Sequence, residues 1–186
     1  IKSQKKNSLI VKKNNIIFNN SVGDITAVNS ETGELVWQAP TQSKKIYDES
    51  MFFKNSDLIS AKNSILFSNN KNGFYSLDAD SGLINWKQKI NSNVRPVFFN
   101  NLIFTVTNEG YLVVLDNESG KLIRSNYLLS NFKKKKRKKI KPVGFIVGQN
   151  NLYLTLNNGK LLVVDIRTGS VNTVLKIDRE KVSSPI

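Results

Sequence analysis

Four segments of the sequence carry a polar residue that is followed, four positions later, by glycine. The pairs are Asn29 and Gly33, Asp78 and Gly82, Asp116 and Gly120, and Asp165 and Gly169. Carboxylate and amide oxygens can bind a metal ion, act as a base or accept hydrogen bonds from the amides of a tight turn. Because four equivalent copies indicate architecture rather than a unique site, we predict that these residues cap turns. The glycines fit the residue of positive φ that such a turn needs.

Other reactive side chains are scarce. The sequence has no cysteine and no histidine, and only 14 acidic residues. Thiol nucleophiles, Ser-His-Asp systems and the usual zinc sites are therefore excluded. We predict no catalytic residues, no metal ligands and no cofactor, and we expect no small-molecule substrate.

The segments recur within a longer repeat. An apolar strand pair precedes each segment, the segment itself begins with an alternating strand, and another strand follows each turn glycine. Successive turn glycines are 49, 38 and 49 residues apart, which is the spacing of β-propeller blades. The sequence therefore predicts an all-β chain of four-stranded antiparallel blades. The blades are expected at about residues 7–40, 56–90, 94–129 and 142–177, and a fifth would start at 182–186.

The repeat resembles the PQQ-like repeat, in which a tryptophan follows the turn glycine by a few residues. Trp37 and Trp86 stand at this position in the first two repeats, and we expect both to pack between blades. The third repeat has Arg124 there, and the fourth has Asn172 or Thr173. The resemblance implies a ring of seven or eight blades, of which four are about half. Further sequence or pairing of two half-propellers would complete it.

The same resemblance implies a function. The chain is similar to the BamB-like scaffold lipoproteins of outer-membrane β-barrel assembly, which implies a non-catalytic protein-binding scaffold. Its partner would be the barrel-assembly subunit, and its location the periplasm or the periplasmic face of the outer membrane. The alternative is a fragment of a PQQ-dependent quinoprotein dehydrogenase, which would need a quinone, calcium and a base. A cysteine pair often found in those enzymes is absent.

A run of basic residues lies between the third and fourth repeats. Together with Lys141 it carries eight of the positive charges that give the chain its net charge of +14; the run consists of Lys133, Lys134, Lys135, Lys136, Arg137, Lys138 and Lys139. Such a run predicts a mobile, solvated loop, because its charges repel each other and cannot be packed. It also allows a third function, binding to a polyanion or an anionic membrane surface.

The link between the first two repeats, Thr41 to Lys54, is rich in residue types that are enriched in protein interfaces. These are Tyr47, Met51, Phe52 and Phe53. Both long links join the outer strand of one blade to the inner strand of the next, so we expect them on one face of the propeller. That face is the predicted partner-binding surface, although the aromatic link could instead fold over the blades.

Overall fold

The computed structural model describes residues 8–20, 24–41, 55–69 and 71–178 of the chain. In these ranges it contains sixteen strands and a helix of four residues. The strands form four separate four-stranded sheets, and in each sheet every strand is hydrogen-bonded to the next in chain order. All pairings within the sheets are antiparallel. The predicted all-β fold of four-stranded propeller blades is confirmed.

The chain divides after Pro96 into two compact units. The first unit contains blades 1 and 2. Blade 1 consists of β1 (Leu9–Lys12), β2 (Asn15–Asn19), β3 (Ile25–Asn29) and β4 (Leu35–Ala39). Blade 2 consists of β5 (Ile59–Ala61), β6 (Ser64–Asn69), β7 (Gly73–Asp78) and β8 (Ile84–Gln88).

The second unit contains blades 3 and 4. Blade 3 consists of β9 (Val97–Phe99), β10 (Leu102–Val106), β11 (Tyr111–Asp116) and β12 (Leu122–Tyr127). The helix α1 (Lys134–Arg137) lies in the link between the two blades. Blade 4 consists of β13 (Pro142–Val147), β14 (Asn151–Leu156), β15 (Lys160–Asp165) and β16 (Val171–Lys176).

Two-residue turns join the first two strands of blades 1, 2 and 3. In blade 3 both turn residues, Asn100 and Asn101, have positive φ, as expected for asparagines in a turn of this length. In blades 1 and 2 the positive φ falls on Lys13 and Lys62, the first central residue of each turn. The point at which each hairpin closes therefore decides which residue adopts the left-handed backbone.

The third and fourth strands of every blade share one irregularity. Their register shifts after Ala27, Ser76, Val114 and Val163, which are equivalent positions in the four blades. A bulge of this kind increases the local twist of the strands. Immediately before each shift, these residues face Trp37, Trp86, Arg124 and Thr173 on the outer strands.

Burial differs between the blades of each unit. In blades 2 and 3 the central strands are buried almost along their whole length, for example over Ile65–Asn69 and Leu112–Leu115. In the central strands of blades 1 and 4 buried residues alternate with mostly partly exposed ones, and on the first strands of these blades Leu9 and Ile146 are 65% and 66% exposed. One face of blade 1 and one face of blade 4 are therefore apolar and partly open.

The core of the first unit is formed by one face of blade 1 and one face of blade 2. It contains Trp37 and Ile17 from blade 1 and Phe67 and Tyr75 from blade 2. The rings of Phe67 and Tyr75 stack with their centroids 5.1 Å apart. The Tyr75 hydroxyl donates to the carbonyl oxygen of Thr41 at 2.9 Å, which satisfies the buried polar end of this side chain.

In the residues that the structure describes, no helix is long and apolar enough to cross a membrane.

Candidate functional site

The four repeated turns use their polar residues in the same way. Asp78 Oδ1 accepts hydrogen bonds from the backbone N–H and the hydroxyl of Ser81, both at 2.8 Å, and from the N–H of Asp80 at 3.1 Å. The equivalent acceptors in the other blades are Asn29, Asp116 and Asp165. The turn glycines Gly33, Gly82, Gly120 and Gly169 have φ between 67° and 74°. These side chains cap turns, and in each of them one oxygen is occupied by the hydrogen bonds of its own turn.

Hydrogen bonding changes the acidity of the three aspartates. The side-chain hydrogen bond from Ser81 holds the pKa of Asp78 below its ordinary value, and the one from Ser119 does the same for the pKa of Asp116. For Asp165 the backbone N–H of Thr168 is the main cause of its lowered pKa. A lowered pKa suits a charged turn cap and is opposite to what a general base needs near neutral pH. Among the described residues, no three acidic side chains cluster to hold a metal ion.

Trp37, at the tryptophan position of blade 1, connects blades 1 and 2. Trp37 is 8% exposed, and its indole N–H donates to the carbonyl oxygen of Ala79, in the turn of blade 2, at 3.2 Å. The ring lies directly against the turn glycine, because a Cβ on Gly82 would lie 2.5 Å from Trp37 Cε3. Trp86, at the equivalent position of blade 2, is also buried and stacks on Phe74 with the ring centroids 5.8 Å apart.

In the second unit an arginine stands at the same position. Arg124 pairs with Val114 just before the register shift, as Trp37 pairs with Ala27. Its guanidinium donates to the carbonyl oxygens of Ile166 and Arg167, in the turn of blade 4. Ile166 follows the capping Asp165 as Ala79 follows Asp78, so the two junctions use the same backbone acceptor. In blade 4 the strand register places Thr173 at the tryptophan position.

The basic residues 133–139, referred to below as the basic turn, form a compact structure. Lys134–Arg137 make one helical turn, and the N–H groups of Lys136 and Lys139 donate to the carbonyls of Lys133 and Lys136. The side chains of the six lysines are exposed, whereas Arg137 is partly buried. Ile140, the next residue after the basic turn, is 4% exposed.

Arg137 anchors the basic turn from within. Its Nε donates to the carbonyl of Phe132 at 2.8 Å, and its Nη2 donates to the carbonyl of Ser130 at 2.6 Å. The guanidinium carbon also lies 5.8 Å from the centroid of the Tyr127 ring, within cation–π range. Arg137 therefore holds both the preceding link and the end of β12.

Asn157 anchors the other end. Its Nδ2 donates to the carbonyl of Lys139 at 3.1 Å, and its Oδ1 accepts from the N–H of Lys141 at 2.9 Å. Asn157 follows β14, so these two bonds attach the end of the basic turn directly to blade 4. The Lys141 ammonium donates to the carbonyl of Asn108 in blade 3 at 3.3 Å. The expectation that the basic run cannot be packed was therefore wrong for the Arg137 side chain and for the backbone of the run. Arg137 packs against the preceding link, and the backbone is hydrogen-bonded to blade 4, while the six lysine side chains stay exposed.

The sequence matches a known protein family. Residues 3–126, about two thirds of the chain, match the family described as outer membrane protein assembly factor BamB. The chain belongs to this family. No curated protein matches the sequence.

Solved structures share the fold of this BamB-family chain. BamB from Moraxella catarrhalis has a TM-score of 0.77 at 10% identity, over 99% of this chain and 53% of that one. The Cps50 (Swd1) β-propeller domain from Myceliophteria thermophila has a TM-score of 0.73 at 12% identity, over 95% and 56%. Quinohemoprotein alcohol dehydrogenase from Comamonas testosteroni has a TM-score of 0.67 at 14% identity, over 91% and 34%. The chain thus spans about half the length of the BamB that it matches, and the similarity establishes the fold.

The aromatic link lies largely outside the described residues. Tyr47, Met51, Phe52 and Phe53 belong to the range 42–54, which the structure does not describe. Their role as partner contacts, and the prediction that both links lie on one face, remain predictions. The basic turn is consequently the part of the predicted binding surface whose geometry is known.

The roles of two residues that shape the site were not predicted from the sequence. Arg137 and Asn157 anchor the basic turn, but arginine among lysines looked like one more surface charge, and Asn157 lies in one of many asparagine-containing loops. The substitution of arginine for lysine within the run was the available signal, because a guanidinium can bridge two carbonyl oxygens whereas an ammonium suits single acceptors.

Proposed function

We propose that this BamB-family chain is a non-catalytic protein-binding scaffold in outer-membrane β-barrel assembly, acting at the periplasmic face of the outer membrane. The observation that carries the proposal is the family match over residues 3–126, together with four blades of the same fold. The partner is the barrel-assembly subunit.

The chemistry of the repeated turns supports a scaffold rather than an enzyme. The carboxylates that recur in the blades accept two or three hydrogen bonds each from their own turns. A quinoprotein dehydrogenase would need carboxylates free to bind calcium and to take a proton from the alcohol. The quinohemoprotein likeness is one of fold, at 14% identity. Appearance of a bound-quinone absorbance after adding pyrroloquinoline quinone and calcium would contradict the scaffold assignment.

The partner-binding surface consists of the aromatic link and the basic turn. Tyr47, Phe52 and Phe53 would supply apolar anchors, since aromatic side chains contribute most of the binding free energy in many interfaces. The basic turn would supply charge at the rim, which affects the association rate more than the affinity. This division of roles predicts different salt dependences for the two regions.

An affinity capture from a Gram-negative envelope extract tests the proposal. We expect the chain to retain the barrel-assembly subunit in both low and high salt. The variant Tyr47→Ser/Phe52→Ser/Phe53→Ser should lose most of this capture, while Lys134→Gln/Lys135→Gln/Lys138→Gln should keep it in high salt.

The circular dichroism spectrum of each variant serves as the control. If the aromatic variant unfolds, its three rings belong to a core and not to a binding surface. Capture of polyanions alone, all released by salt, would count against the scaffold function.

We further propose that the open faces of blades 1 and 4 are covered by other PQQ-like blades in a ring of seven or eight. Exposed apolar residues such as Leu9 and Ile146 on these faces support this, because a blade normally buries both faces against its neighbours. Light scattering measures the mass of the isolated chain: twice 21.0 kDa indicates pairing of two copies. A monomer that binds no apolar dye would show that the faces need no cover.

A further inference from the structure

We propose that the basic turn is a binding site for the phosphate groups of an anionic lipid surface. The ligands are the six exposed lysines of residues 133–139, and Arg137 is the residue that positions them. This function goes beyond the rim contact that the basic turn is proposed to make with the protein partner.

The basic turn carries charge that the described part of the protein leaves unpaired. Six of seven consecutive residues are exposed lysines. The described part of the chain provides no carboxylate within 4.0 Å of any of their ammonium groups, whereas Lys13 does form an ion pair with Asp80 at 2.8 Å. Like charges so close together repel each other, and an external anion is the remaining way to neutralise them.

The protein holds this repulsive segment in one place. Two carbonyl hydrogen bonds from Arg137 fix its centre, and the two hydrogen bonds of Asn157 fix its end. Ile140 is buried directly after it. A purely solvated run of lysines would need none of these contacts. With the backbone fixed, less conformational entropy is lost when the lysine side chains meet a charged surface.

The side chains of the basic turn and its surroundings indicate the kind of anion. Recognition of single-stranded nucleic acid relies on open aromatic rings that stack with bases. Two rings beside the basic turn, Tyr127 and Phe132, already carry a cation over one face, from Arg137 and from the Lys160 ammonium at 4.9 Å respectively. The exposed groups are lysines, which act as hydrated point charges and lack the rigid planar fork of a guanidinium. This combination favours a surface of many phosphates over a specific nucleotide sequence.

Vesicle cosedimentation tests the proposal. The probes are vesicles of phosphatidylcholine alone and of phosphatidylcholine with about a third phosphatidylglycerol. The ionic strengths are about 0.1 M, at which charges are screened weakly, and about 0.5 M, at which they are screened strongly. We expect binding to the anionic vesicles at the lower ionic strength, and loss of binding at the higher one and on the neutral vesicles.

Two triple variants of equal net charge locate the site. Lys134→Gln/Lys135→Gln/Lys138→Gln removes half of the six lysines, and Lys89→Gln/Lys121→Gln/Lys176→Gln removes three exposed lysines elsewhere. Each lysine near an anionic surface contributes about fivefold, so the first variant should bind about 100-fold more weakly. The second should stay within a few-fold of the unchanged chain, and both should keep the β-sheet circular dichroism spectrum.

Three results would overturn the proposal. Equal losses in the two variants would assign binding to overall charge instead of the basic turn. Absence of binding to anionic vesicles at low ionic strength would remove the site altogether. Tighter binding of the basic turn to double-stranded DNA than to the vesicles, at matched phosphate concentration and ionic strength, would assign it to a nucleic acid. None of these results depends on capture of a protein partner, so failure of the scaffold proposal is separately visible.

Discussion

The two units of the chain build the same junction from opposite chemistry. In the first unit Trp37 of blade 1 covers the turn of blade 2 with an indole and gives one hydrogen bond to Ala79. In the second unit Arg124 of blade 3 reaches the equivalent turn of blade 4 with two hydrogen bonds, to Ile166 and Arg167. The constant element is the backbone carbonyl that follows the turn cap. The repeat therefore fixes the position of the carbonyl acceptor and of the side-chain donor that binds it. The donor can belong to a large apolar side chain, as in Trp37, or to a charged one, as in Arg124.

The two solutions should differ in strength. A buried tryptophan removes about 150–250 Å² from water, which corresponds to about 4–6 kcal/mol at 25 cal/mol per Å². Hydrogen bonds from a charged donor contribute about 1.5–3 kcal/mol each when the donor is well desolvated, and less near the surface. Arg124 is partly exposed. We therefore expect the stability of the first unit to depend more strongly on Trp37 than the stability of the second unit depends on Arg124.

Replacing Trp37 tests the apolar junction and should have the largest effect. Trp37→Ala leaves a cavity between blades 1 and 2 and should lower the free energy of unfolding by about 3–5 kcal/mol. Urea unfolding followed by far-UV circular dichroism measures the change. Leu35→Ala, two residues earlier on the same strand but 61% exposed, is the control and should cost less than about 1 kcal/mol. Equal costs for the two variants would show that the indole does not hold the blades together.

The turn glycines sharpen the comparison, because two of them differ only in what lies beside them. Gly82 and Gly33 have φ of 72° and 74°, but a Cβ on Gly82 would meet the Trp37 ring at 2.5 Å, while a Cβ on Gly33 would have nothing within 4 Å. Both alanine substitutions should cost about 1–2 kcal/mol for the backbone. Gly82→Ala should cost about 1–3 kcal/mol more, for the displaced ring.

A double-mutant cycle measures that additional cost. In a Trp37→Ala background the space beside residue 82 is empty, so Gly82→Ala should then cost about as much as Gly33→Ala. If the difference between the two glycines persists without the indole, close packing of the ring is not its cause.

Replacing Arg124 tests the polar junction, and a smaller effect is expected. Arg124→Lys keeps the charge but loses the planar fork that reaches two carbonyls, and should lower the free energy of unfolding by about 1–2 kcal/mol. Lys121→Arg, an exposed exchange near the start of the same strand, is the control and should be close to neutral. A loss as large as that of Trp37→Ala would mean that the two junctions are equally important to their units.

The blades were predictable from the sequence, and the reason is their repetition. Each turn requires a short acceptor such as Asp78 and a glycine of positive φ such as Gly82, and both requirements are met within five residues. Trp37 was expected to pack between blades, and it packs between blades 1 and 2; Trp86 is buried as well. Because these requirements are local and recur four times, they can be recognised in the sequence without knowledge of contacts between distant residues.

The candidate site was less predictable, since its structure depends on contacts between residues far apart in the chain. The basic turn is fixed by Asn157, which lies sixteen or more residues further along the sequence. The role of Arg124 depends on a turn more than forty residues away. The positive φ of Lys13 and Lys62 also went unpredicted, because the exact closing point of a hairpin determines which residue adopts it.

The turn caps provide the smallest expected effect and a last comparison, since blade 1 uses uncharged Asn29 where the other blades use aspartate. Hydrogen bonds lower the pKa of Asp78, Asp116 and Asp165 in the folded chain. Their stabilisation is therefore present above the unfolded pKa of about 3.9 and is lost as pH falls through the folded values. Replacing all three aspartates with asparagine should reduce the fall in Tm between about pH 5 and pH 3, while Glu31→Gln, an exposed control, should not. An unchanged fall in the triple variant would show that acid destabilises the blades through groups other than their caps.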